Sequence, residues 1–80
     1  MDTELDFTAF RKELSSIFAA DVSQMVPSAK LSSFTWDSLA VVSTILVIDE
    51  LFDVLVEGQT LVNCETIGDM EKLIASRHQP

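Results

Sequence analysis

Cysteine is nearly missing from this chain. Cys64 stands alone among 80 residues, so no internal disulfide can form, and a reducing compartment, the cytoplasm, is the expectation. Positive charge is scarcer still where it would matter. From Leu31 to Glu71 there is no lysine or arginine, while the same stretch carries eight of the 13 acids, and the net charge is −8. Nucleic acid is therefore excluded as a partner, because phosphate binding needs clustered bases. Anionic membrane is excluded on the same ground. A long hydrophobic run is also lacking: Ser38 to Ile48 is the longest uncharged stretch, well short of the ~20 residues of a spanning helix, so no membrane insertion is expected. Met1-Asp2-Thr3-Glu4 has neither the basic start nor the apolar run of a signal peptide. The one histidine, His78, has no second ligand at metal spacing, so no metal site is expected. Glu57, Glu65 and Asp69 make no catalytic pair, and nothing stands ready to activate a nucleophile. No catalytic residue is assigned, and an enzyme is the least expected class. Repeats, low-complexity segments and linkers are absent.

What is present is apolar and acidic. Residues 1–80 suffice for a single domain. A chain of this length buries only about 60% of its unfolded surface. With 48% apolar residues, some of them must stay exposed, and contiguous exposed ones mark a partner site. The acidity suits a basic protein partner, which complementary charge would steer and orient.

Thr3 to Ala20 reads as a first helix, with Phe7, Phe10, Leu14, Ile17 and Phe18 on one face and Arg11, Lys12 and Glu13 toward solvent. Thr3 with Asp6 is a weak capping signal. Asp21 to Trp36 reads as a long loop anchored by Val22, Met25, Val26, Leu31 and Phe34; loops of this length often have a role. Trp36 is read as a further anchor. Leu39 to Leu55 is the second helix, with Val41, Ile45, Ile48 and Phe52 toward the core. A neighbouring stripe starts with Val42 and Leu46 and turns acidic at Asp49, Glu50 and Asp53. Val54-Leu55-Val56 is an extended exit, Gly58 a break, and Thr60 to Asn63 a short helical turn. Thr66 and Asp69 start the last helix, whose apolar face is Met70, Leu73 and Ile74, and Arg77 and His78 sit near its C-terminus. Gln79 and Pro80 are expected to fray. Cys64 reads as a small buried hydrophobe.

Ser38 carries the most information. Asp37 is a helix N-cap, which places Ser38 in the first turn of the second helix. Its hydroxyl then projects beside free backbone N–H groups and the positive end of the helix dipole, a position that suits a phosphate ester. With no activating group nearby, Ser38 reads as a residue that another enzyme modifies rather than as a nucleophile.

Three segments in order now resemble an acyl carrier protein. Asp37-Ser38-Leu39 resembles that family's attachment motif, preceded by Trp36 as in some specialised members. Phe52, Val54 and Val56 are similar to its aromatic-hydrophobic run after the second helix. Thr66-Ile67-Gly68-Asp69-Met70 is similar to the start of its last helix. The resemblance implies an all-α fold: a small four-helix bundle with three longer helices, one short helix and a long first loop. It also implies a covalent cofactor, 4'-phosphopantetheine on Ser38, whose thiol carries acyl intermediates as thioesters. The implied partners are a phosphopantetheinyl transferase and acyl-transferring or synthase enzymes with basic docking surfaces. These would meet Asp37, Leu39, Val42, Leu46, Asp49, Glu50 and Asp53. A free-standing monomer is expected, serving fatty acid, polyketide or related lipid metabolism. An aliphatic cargo would enter an interior bounded by Val41, Ile45, Ile48, Phe52, Met70 and Leu73.

Ala40 and Ser43 stand where the family usually has acids, so the docking face near the serine is thinner and more apolar. A dedicated polyketide, lipid-modification or peptide-assembly carrier is at least as well matched as a housekeeping one. Two alternatives stay open: an unmodified acidic helical interaction module, and an aminoacyl or peptidyl carrier.

Overall fold

The computed structural model describes residues 6–78. Four helices follow in order: α1 (Thr8–Phe18), α2 (Ser38–Phe52), α3 (Gly58–Val62) and α4 (Ile67–Arg77). They form the expected small all-helical bundle, with three longer helices and one of a single turn. The only β pairing among the described residues is an isolated antiparallel bridge between Lys30 and Thr66.

α1 exists because Phe10, Leu14 and Phe18 recur every four residues and bury one face. It begins at Thr8 rather than Thr3: Asp6 and Phe7 are not helical, and the Asp6 carboxylate accepts the Thr8 N–H at 2.9 Å. The expected contribution of Thr3 lies outside the described residues, as do Gln79 and Pro80. α1 stops at Ala19, which turns left-handed (φ 52°) while the Ala20 N–H closes on the Ser15 carbonyl at 2.9 Å. Arg11 is not on the solvent side. It reaches α4 and holds the carboxylate of Glu71 with two bonds of 2.8 and 3.0 Å. Glu71 is buried, so this bidentate pair ties the first helix to the last.

The long first loop has more structure than the sequence suggested. It contains two 3-10 turns, Val22–Gln24 and Leu31–Ser33. Met25 and Leu31 are its buried anchors, while Val22 and Val26 lie exposed, against expectation. Phe34 stacks on Phe18 with centroids 4.8 Å apart, and Trp36 meets the same ring edge-on at 5.9 Å. A second aromatic cluster, Phe7, Phe10 and Phe52, closes the other end of the α1–α2 contact.

α2 buries Ala40, Val41, Thr44 and Ile48. Ile45 and Phe52 are half-buried against that core. Thr44 is tolerated inside because its hydroxyl donates to the Ala40 carbonyl at 2.8 Å. The helix ends at Phe52, earlier than the expected Leu55, because Asp53 adopts the left-handed conformation (φ 55°). The extended exit follows: Val54 and Val56 turn inward and Leu55 outward. Gly58 does not break the chain but opens α3, close to Val41 and Ile45. Asn63 is the cap of that turn rather than part of it. In α4, Ile67, Met70 and Ile74 are fully buried.

Candidate functional site

α2 starts as its sequence dictates. Asp37 is extended, and its side chain accepts the Ala40 N–H at 2.9 Å. Ser38 is the first helical residue and is exposed. The Ser38 and Leu39 N–H groups find no partner among the described residues. An exposed hydroxyl thus lies beside two donors without partners among the described residues, at the positive helix end that the Asp37 carboxylate caps.

At 100° per residue, Leu39, Val42, Leu46, Asp49 and Glu50 fall on one side of α2, away from the buried Ala40, Val41, Thr44 and Ile48, and Asp53 follows as the left-handed cap. All six are exposed. The apolar members are far from covered: Leu39 is 73% exposed, Val42 53% and Leu46 59%. Every residue assigned to the candidate surface, Asp37 included, is therefore solvent-facing, with the apolar part and Asp37 next to Ser38 and the other acids at the far end. Leu55 and Val62 are also strongly exposed and were not picked out in the sequence. The alternation of Val54, Leu55 and Val56 was the available signal for the first; Val62 had none.

The interior proposed for an aliphatic cargo is close-packed, so a chain could enter only as the helices separate. Ile48, Met70 and Ile74 are entirely buried, and Val41 nearly so. Open volume is found at the surface. One groove of about 640 Å³ runs between the first loop and the end of α3, with Phe34, Trp36, Val62 and Cys64 among its walls and Lys30 and Glu65 at its edges. The indole N–H of Trp36 is buried and has no hydrogen-bond partner among the described residues. Trp36 is an anchor, as expected, but an incompletely satisfied one. The periodicity of a sequence carries no sign of such a groove.

Cys64 is half-buried and its thiol points to the Thr60 carbonyl, at 3.6 Å. Burial, and to a lesser degree the charge of Asp69, push this thiol up from its ordinary pKa. It is a poor nucleophile, in keeping with a structural role. Among the described residues no cluster of His, Cys, Asp and Glu is arranged to hold a metal ion, and no helix is long and apolar enough to cross a membrane. Comparison of the sequence with protein-family models and with curated proteins found no match.

Proposed function

We propose that this chain is a carrier of the acyl-carrier type, with Ser38 as the attachment site of 4'-phosphopantetheine. The observation that supports it most is the exposed Ser38 hydroxyl at the capped, otherwise unpartnered start of α2. In the modification, Ser38 Oγ forms a bond to the pantetheine-bearing phosphorus of coenzyme A. The pyrophosphate bond breaks, adenosine bisphosphate leaves, and the hydroxyl proton passes to a base of the transferase. The new phosphate diester is an anion beside the Ser38 and Leu39 N–H groups, where the helix end favours it. The thiol of the arm supplies the chemistry, holding acyl or related cargo as a thioester; the chain itself catalyses nothing.

The exposed face of α2 is the docking surface in this reading. Leu39, Val42 and Leu46 supply apolar contact beside the arm, and Asp37, Asp49, Glu50 and Asp53 orient partners with basic surfaces, among them the transferase and acyl-transferring or synthase enzymes. The thin acidity near Ser38 favours a dedicated pathway, polyketide or lipid-modifying, over a housekeeping one. The lone Cys64 agrees with the reducing cytoplasm as its place of work.

The test is the intact mass after incubation with coenzyme A and a broad-specificity phosphopantetheinyl transferase. A gain of one phosphopantetheinyl group is expected. No gain would favour the second reading that the exposed apolar stripe supports, an unmodified module that binds a partner through Leu39, Val42 and Leu46.

A further inference from the structure

We propose that the groove between the first loop and the end of α3 is the resting site of the arm on Ser38. There the indole N–H of Trp36 donates a hydrogen bond to an amide carbonyl of the pantetheine. This inference rests on the carrier reading and adds to it where the arm lies and which side chain holds it.

Three observations carry it. The first is the unsatisfied donor: Trp36 Nε1 is buried without a partner among the described residues, although buried polar groups are normally paired. The second is proximity. Trp36 is separated from Ser38 by Asp37 alone, so their Cα atoms are at most about 7 Å apart, and the indole is within reach of a flexible arm on Ser38. The third is the character of the groove. Phe34, Trp36, Val62 and Cys64 share its lining with Ser32, Thr66 and one charge of each sign, Lys30 and Glu65. That lining suits a neutral, amide-bearing chain better than a bare anion. In the interior, Ile48, Met70 and Ile74 are wholly buried and packed together.

The N–H is covered at rest, so pairing requires a side-chain rotation at Trp36. The unmodified and modified proteins must therefore differ at that indole. The chain has a single tryptophan, so a nitrogen-labelled sample gives one indole signal. On conversion to the holo form, verified by intact mass, that signal is expected to move downfield. Its exchange with solvent deuterium is expected to slow about fivefold, the factor of a net hydrogen bond. Trp36→Phe keeps the aromatic wall and removes the donor. It is expected to raise the melting temperature of the unmodified protein and to abolish the rise that modification brings to the wild type. Full mass gain with an unmoved indole signal, or an equal rise in melting temperature in wild type and Trp36→Phe, would overturn the inference and leave the carrier reading intact. Absence of any mass gain would overturn both.

Discussion

α2 and α4 start with the same device and use it differently. Each is preceded by an extended residue whose side chain caps the helix: Asp37 takes the Ala40 N–H, and Thr66 takes the Asp69 N–H at 3.1 Å. At α4 every further donor is then engaged. Asp69 reaches back to the Thr66 and Glu65 N–H groups at 3.2 and 3.1 Å. The Ile67 and Gly68 N–H groups donate to the Ala29 and Pro27 carbonyls of the first loop at 3.0 and 2.9 Å. Ile67 is fully buried. At α2 the cap bond stands alone among the described residues: Ser38 and Leu39 are exposed and their N–H groups have no partner there. The lesson is that a helix start becomes usable when the rest of the chain does not consume its donors. One start closes the bundle; the other stays open to solvent.

The comparison can be broken most forcibly at Gly68. A Cβ there would lie 2.9 Å from the Pro27 carbonyl oxygen and 3.2 Å from its Cβ. Gly68→Ala is expected to lose about 1–3 kcal/mol, because the obstacle is backbone and cannot turn aside. Ser38→Ala, at the open start, is expected to stay within about 0.5 kcal/mol of wild type. Urea unfolding of the two variants gives both values.

The caps come next. Thr66→Ala is expected to cost about 2 kcal/mol, near the top of the range for caps, since the reciprocal box goes with it. Asp37→Ala is expected to cost about 1 kcal/mol. It should also slow modification of Ser38, as the first turn frays. Equal losses at the two sites would remove the distinction drawn between them.

A smaller effect depends on pH. The N–H of Glu65, and then that of Thr66, hold the Asp69 carboxyl below the usual carboxylate range. A lowered folded-state pKa means stability that is present above the unfolded value of about 3.9 and is lost as pH falls through the folded one. Asp69→Asn should therefore flatten the loss of stability below about pH 4, read from unfolding midpoints across a pH series. An unchanged acid limb would place the acid-sensitive contact elsewhere.

The smallest structural change and a purely kinetic effect are expected at the far end of the α2 face. Glu50→Lys should leave the helical circular dichroism signal intact, slow modification several-fold, and matter less as salt rises. An unchanged rate with the wild-type salt dependence would move recognition away from this face.

Much of this was legible in the residues. The apolar spacing of Phe10, Leu14 and Phe18, the caps at Asp37 and Thr66 and the turn chemistry near Thr66 are local, and local rules place them. The side of α2 that carries Val42 and Leu46 could have been a wide core face or a docking surface in the sequence, and the structure shows it exposed. What escaped depends on distant parts of the chain. Arg11 meets Glu71 across 60 residues of sequence, and no helical wheel distinguishes such an arginine from a solvated one. Val22 and Val26 had the composition of anchors but lie exposed, Val22 at the start of a 3-10 turn and Val26 just before Pro27. The first-loop groove and the unpaired indole arise only when Lys30 is bridged to Thr66 and the end of α3 is brought to Trp36.

The open start of α2 is tested most directly by locating the modification. Wild type and Ser38→Ala, each coexpressed with a broad-specificity phosphopantetheinyl transferase, are digested and their peptides weighed. The expected result is one phosphopantetheinyl group on the wild-type peptide containing Trp36-Asp37-Ser38-Leu39, and none on a folded Ser38→Ala protein. A wild type that gains nothing, or an alanine variant that is still modified, would contradict it.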